Sequence, residues 1–124
     1  MRPMILVAEP EPLQALSVRK LVLETAKFNV LTAHSTAEAL ESIAMFPKVA
    51  AAVLVAEHNI ACEQLAPTIK KVLPDVLVVV LSARVGFTCP GADHLLSSHN
   101  PEGLVTLMRE LLGDPRTIDP GPDN

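Results

Sequence analysis

The stretch from Val49 to His58, VAAAVLVAEH, constrains the fold more than any other part of the chain. It is apolar without a break as far as Ala56 and then turns polar at Glu57, His58 and Asn59. A run this short cannot span a membrane, and its lack of polar alternation predicts a strand buried on both faces. Such a strand belongs in the middle of a parallel sheet, with helices above and below it. In open sheets of that kind the ligand or reaction site lies just past the carboxyl ends of the strands. Here that end is Ala56-Glu57-His58.

With 124 residues and 49% hydrophobic content, the chain is long enough for one domain with its own core. A net charge of −4 and a pI near 5.5 argue against nucleic acid or an anionic membrane as the main partner, since both call for a basic patch. Two cysteines, without a signal-peptide pattern or a long apolar run, predict a cytoplasmic protein with free thiols. The three Phe, with no Tyr or Trp, argue against base stacking and aromatic sugar sites.

In chain order, Met4 to Ala8 is a first buried strand, ending in Glu9-Pro10-Glu11-Pro12. Pro12 suits the first turn of a helix from Leu13 to Ala26, with Ala15, Val18, Val22 and Ala26 on one face. Asn29 to Ala33 is a second strand, and Ser35 to Glu38 has the capping-box spacing of a helix start, after which Leu40, Ile43 and Ala44 face inward. Beyond the central strand, Glu63 to Val72 predicts a helix with Leu65, Ile69 and Val72 inward, and Pro67 is tolerable only in its first turn. Val76 to Leu81 is another buried strand, Leu95-Leu96 a short fifth one, and Asn100-Pro101-Glu102 opens a last helix closed by Gly113. In that helix Leu104, Leu107, Met108, Leu111 and Leu112 are the apolar set. Strands and helices alternate, which predicts an α/β fold with a doubly wound five-stranded parallel sheet. Residues 1–113 form the domain, and 114–124, rich in Pro, Asp and Gly, read as a disordered tail or linker.

Several segments together resemble one family. Ile5 to Pro12 is similar to the acidic opening of bacterial response-regulator receiver domains, and Ala39-Leu40-Glu41 to their second helix. Val78 to Ala83 resembles their fourth strand with its hydroxyl residue, and Gly91-Ala92-Asp93 with Asn100-Pro101-Glu102 their closing segment. The resemblance covers residues 4–112. It implies a flavodoxin-like fold and a role in two-component phosphorelay signalling, in which a histidine kinase passes a phosphoryl group to an aspartate at the end of the third strand.

The chain departs from that pattern where the chemistry should be. The family has two adjacent acids after the first strand to hold Mg²⁺, whereas here Glu9 is followed by Pro10 and then Glu11. The acceptor aspartate falls on Ala56, or on Glu57 in a register shifted by one. The family's lysine falls on Ser97, with Ser98 as the neighbouring alternative, and Ser82 keeps the hydroxyl. Only Ala83 to Pro90 separates Ser82 from Gly91, so the fourth crossover helix is expected to be shortened or missing, with Phe87 either plugging the core or meeting a partner.

Each of these residues also has an ordinary role. Glu9 and Glu11 suit a helix start, Ser82 a strand end, and Glu57 is either a surface acid or a mimic of a phosphorylated aspartate. His58, Cys62 and Cys89 match no zinc spacing and read as a solvated histidine with two small buried thiols. His34, His94 and His99 show no partner in the sequence. The expectation is a non-enzymatic, cytoplasmic pseudo-receiver without a cofactor, acting by protein–protein contact with a histidine kinase, an output protein or domain, or a second copy in a homodimer. The alternative is an atypical but working receiver that uses Glu57 and Mg²⁺. A small enzyme on this scaffold lacks a nucleophile–base pair and a glycine-rich loop after the first strand.

Overall fold

A computed structural model of the chain describes residues 2–10, 17–57 and 60–118. Five parallel strands, β1 (Met4–Ala8), β2 (Asn29–Ala33), β3 (Val49–Val55), β4 (Leu77–Ser82) and β5 (His94–Ser97), form one sheet in the order β2-β1-β3-β4-β5. This is the flavodoxin-like doubly wound arrangement, and β3 lies at its centre as its apolar run requires. All of β3 except Ala50 is buried. A shift of register against β1 falls at Ala50, which lets Val49 join the same side of the sheet as Ala52 and Leu54.

Helices α2 (Thr36–Met45) and α3 (Cys62–Val72) pack together on that side, over a core that includes Leu6, Leu54, Leu65, Ile69, Val78 and Val80. On the other side α1 (Val18–Thr25) and α4 (Pro101–Leu112) cover Ile5, Val7, Val53, Val55, Val79 and Leu81. Alternate residues of the inner strands thus feed two cores, as a two-residue side-chain period dictates. Among the described residues no helix is long and apolar enough to cross a membrane.

The helix faces differ in detail from the sequence-based expectation. The expected start of α1, from Pro12 through Ala15, lies outside the described residues, and the helix they contain opens at Ser17, whose Oγ accepts the Lys20 N–H. Leu23 and the C-cap Ala26 are buried, Val22 packs partly against the same core and Arg19 meets Glu9, so of the expected face Val22 and Ala26 are inward while Val18 is 56% exposed. In α2 the buried pair is Ala39 and Ile43, with Ala44 exposed. The expected cap is present: Ser35 Oγ accepts the Glu38 N–H, while the Glu38 carboxylate reaches back to the His34 N–H at 3.0 Å. In α3 Val72 is 54% exposed, because the helix ends there and Leu73 turns inward in its place.

Pro67 sits in the interior of α3, not in its first turn. A proline there forfeits one helical hydrogen bond. The structure gives it a use. Residues 83–93, between β4 and β5, contain no helix, and this connection presses directly on α3. A Cβ built on Gly91, whose φ is +90°, would lie 3.0 Å from Pro67 N and 3.2 Å from Ala66 Cβ. Two backbones meet at a point where one has no N–H and the other no side chain. Phe87 is half-buried against the α2–α3 core, with the Arg84 guanidinium 5.0 Å from its ring centre.

The connection is also held by charge. Asp93 Oδ2 lies 2.8 Å from Lys70 Nζ on α3 and accepts the Val78 N–H at 2.8 Å, while the Asp93 N–H returns to the Val78 carbonyl. Past α4, Gly113 closes the helix in the left-handed region, and Pro115–Ile118 forms one further turn, α5, where a tail was expected; residues 119–124 lie outside the described set.

Two outcomes follow from this packing. Gly91→Ala combines a strained φ with a backbone clash and is expected to cost about 2–4 kcal/mol, against about 1 kcal/mol for Gly86→Ala, where φ is also positive but the space is open. Urea midpoints of the two variants would check this, and equal losses would contradict the close approach. Burial works to raise the Asp93 carboxyl, but the Lys70 and Val78 hydrogen bonds, with the charges of Lys70 and His94, outweigh it and leave it below the ordinary value. A depressed carboxyl stabilises the fold above its unfolded pKa of about 3.9, and that stability is lost as pH falls through the lower folded value. Asp93→Asn should therefore be less stable than the parent at neutral pH, with the gap closing in acid; a gap independent of pH would count against the ion pair.

Candidate functional site

The carboxyl ends of β1, β3, β4 and β5 bring the sequence-predicted residues to one edge of the sheet. Glu9 follows β1 directly, and its N–H still donates to the Ala33 carbonyl at 2.9 Å, which prolongs the ladder and turns the side chain inward. The residue is only 1% exposed. A carboxylate so deeply placed needs a counter-charge, and Arg19 of α1 supplies it, with Nη1 donating to Glu9 Oε1 at 3.0 Å. Glu9 Oε2 and Arg19 Nε are buried without a hydrogen-bond partner among the described residues. A cation in the first turn of a helix opposes the helix dipole, so the helix itself gives no reason for Arg19 to be there. Glu9 does.

His34, at the end of β2, also belongs to this corner. Its Nδ1 lies 3.2 Å from the Glu9 carbonyl. A carbonyl only accepts, so the proton is on Nδ1. Glu11, expected beside Glu9, and His58 lie outside the described residues.

Ala56 continues β3 by one residue, its N–H donating to the Leu81 carbonyl at 2.9 Å, and its methyl packs against the α2–α3 core. At Glu57 the chain turns. The Glu57 N–H folds back to the Val55 carbonyl at 2.8 Å, and the side chain is exposed. The loop is then tied to α2, since the Ala61 N–H donates to Thr36 Oγ1 at 2.9 Å.

Ser82 and Ser97 are register partners at the ends of β4 and β5. Ser82 is buried; its Oγ accepts the Arg84 N–H at 3.0 Å and its carbonyl accepts the Ser98 N–H at 3.0 Å. That is the strand-closing role. Ser97 is exposed, and its Oγ accepts the His99 N–H at 3.2 Å. A cavity of about 250 Å³ opens between the two strands, lined by Ser82, Arg84, Val85, Phe87, Leu95 and Ser97. Leu95, which a crossover helix would cover, is 46% exposed.

The described residues do not fit Mg²⁺. The ion takes hard oxygen ligands in a near-octahedral shell, usually including one or two carboxylates. The corner offers the single Glu9 carboxylate, with one oxygen already on Arg19, and Ala56 contributes none. Arg19 and His34 were not found by sequence reasoning. The signal for Arg19 was its place in the first turn of a helix ten residues after a buried acid, and His34 carried none.

No family model matches the chain, and no curated protein matches its sequence. Solved structures do resemble it. A CheY-like response regulator receiver domain protein from Methanospirillum hungatei is 18% identical, with 95% of this chain and 99% of that one covered and a TM-score of 0.73. The signal receiver domain of an HD domain-containing protein from Pseudomonas fluorescens is 18% identical, with 90% and 95% covered and a TM-score of 0.76. A response regulator protein from Thermotoga maritima, solved with Mg²⁺ and BeF, is 24% identical, with 88% and 98% covered and a TM-score of 0.69. At these identities the likeness is one of fold, and the fold is that of CheY-like receiver domains.

The ion pair gives a direct measurement. Arg19→Ala leaves a buried carboxylate without its counter-charge and should cost about 2–3 kcal/mol, a figure reduced because Arg19 is 24% exposed. In a Glu9→Gln background the same substitution should cost at least about 1 kcal/mol less. Additive losses in this cycle would show that the two side chains are not coupled.

Proposed function

We propose that the chain is a receiver-like module of two-component signalling that acts by protein–protein contact and does not itself accept phosphate. One observation carries this reading: the residue that prolongs β3 is an alanine, and the buried acid facing that edge is already neutralised by Arg19. Phosphoryl transfer to such an edge needs a carboxylate acceptor and cations poised on the developing charge. Here the acceptor position carries a methyl group and the lysine position carries Ser97. Glu57 supports a working receiver less, because its side chain is exposed beyond the turn.

Without a switch chemistry, the surface does the work. The β4–β5 groove presents Arg84, Val85 and Leu95, all exposed, to a histidine kinase, an output protein or domain, or a second copy of the chain. Such a module operates in the cytoplasm, and its two thiols are free.

An amide NMR titration tests the proposal. At millimolar Mg²⁺, and then with beryllofluoride as a stand-in for a phosphoryl group, no saturable shifts are expected near Glu9, Ala56 or Ser82. Saturable shifts there would overturn it. A gain-of-site variant tests the register. Ala56→Asp with Arg19→Ala adds a carboxylate to the edge that holds an unpaired Glu9, so its Tm should fall and then recover partly with Mg²⁺, while the parent's Tm does not respond to Mg²⁺. A variant blind to Mg²⁺ would remove Ala56 from the acceptor position, and a response in Glu57→Asp with Arg19→Ala would assign that position to residue 57.

A further inference from the structure

We infer that Cys62 and Cys89 form a reversible redox site, an intramolecular dithiol that oxidises to a disulfide and pins the β4–β5 connection to the first turn of α3. The inference goes beyond the proposed function and does not depend on it. Cys62 is the first residue of α3, Cys89 lies in the helix-less connection, and both are free and buried in the same core.

Their juxtaposition follows from the contact already described. Gly91 stands against Ala66, and Cys62 is one turn before Ala66 on the same helical face. Cys89 opens a tight turn that the Ala92 N–H closes on its carbonyl at 3.1 Å, which carries the chain from the buried Cys89 to the Gly91 backbone contact on α3. Both thiols are buried in the same core, and Cys89 lies close enough to raise the Cys62 thiol. A cavity of about 240 Å³, lined by Ala56, Glu57, Cys62, Glu63, Arg84 and Phe87, opens beside Cys62, itself 2% exposed, and is the route a small oxidant would take.

With hydrogen peroxide as oxidant the step balances. The Cys62 sulfur attacks one peroxide oxygen: an S–O bond forms, the O–O bond breaks, and the released hydroxide takes the thiol proton and leaves as water. Glu63, whose Oε2 accepts the Cys62 S–H at 3.7 Å, is placed to pass that proton to the departing hydroxide. The Cys89 sulfur then displaces the second oxygen. The S–S bond forms, the S–O bond breaks, and the Cys89 proton leaves in a second water. Two thiols lose two electrons and one peroxide gains them.

Burial, together with Cys89 and Glu63, pushes the Cys62 thiol up to about 12. At neutral pH it is protonated, so the pair rests in the reduced form and oxidises slowly. Once formed, the bond fastens the segment bearing Arg84, Val85 and Phe87 to α3, which fixes one wall of the β4–β5 groove.

The full chain treated with hydrogen peroxide tests this. Expected are an intact mass lower by two hydrogens, loss of both titratable thiols in denaturant, a monomer on a non-reducing gel, and full reversal by dithiothreitol. Amide exchange across residues 87–92 should slow in the oxidised protein. Cys62→Ser and Cys89→Ser, each alone, should show no such mass loss. If either variant fails to fold, the parent's mass, thiol count and amide exchange still decide. Oxygen additions without a disulfide, disulfide-linked dimers, or two thiols surviving in denaturant would each overturn the site. A disulfide that leaves amide exchange unchanged would overturn the pinning.

Discussion

The burial of β3 on both faces is the constraint on which the rest of the structure depends. A strand with no polar side chain from Val49 to Val55 has nothing to offer solvent, so the chain must return over it on either side. Each buried valine or leucine contributes about 1.5–3 kcal/mol through area removed from water. The parallel ladder to β1 on one flank and β4 on the other leaves the sheet with one carboxyl edge where polar groups from several strands converge. The strand-end candidates Glu9, Ala56, Ser82 and Ser97 all lie on that edge.

At the described edge a guanidinium stands beside the buried Glu9 carboxylate, and it differs in kind from a bound metal ion. A bound divalent cation comes and goes with its concentration and with the ligands around it. A guanidinium on α1 does neither. By placing Arg19 beside Glu9, with Leu23 and Ala26 buried, the sequence leaves Val18 at the surface and sets a covalently held positive charge against the Glu9 carboxylate. Among the described residues the match is incomplete, since one fork of the guanidinium reaches Glu9 Oε1 while Oε2 has no partner there. Such a pair is costly to break and is worth less than its distance suggests, because both groups were taken out of water to form it.

Much of the fold was legible because it rests on short-range rules. Apolar runs gave the inner strands; Ser35, Asn100 and Gly113 gave three helix ends; and the eight residues from Ala83 to Pro90 left too little chain for a crossover helix. The misreadings share a cause. Val18, Ala44 and Val72 fit an apolar period but lie where the sheet no longer covers the helix, and periodicity does not know where the sheet ends. Arg19 was overlooked because a charged residue on an inward stripe runs against the pattern, and its reason, Glu9, lies on another element. At the site, the positions of Glu9, Ala56, Ser82 and Ser97 were readable from strand ends, whereas the ion pair and the Glu9–His34 contact required the packing of α1 and β2.

Pro67 shows the same limit most sharply. Taken alone, a proline in the sixth position of a helix is a defect, and sequence reasoning confined it to the first turn. In the fold it removes an N–H at the point where Gly91 brings the connection against α3. The lost crossover helix and the misplaced proline are therefore one adaptation. A chain too short to form a helix between β4 and β5 covers that side by laying its backbone directly on α3, and close backbone contact requires the smallest residue on one strand and a missing donor on the other. The ion pair of Lys70 with Asp93, one turn further along α3, secures the far end of the same contact. Phe87 fills part of the space the helix would have taken, and the remainder stays open as the groove that exposes Leu95.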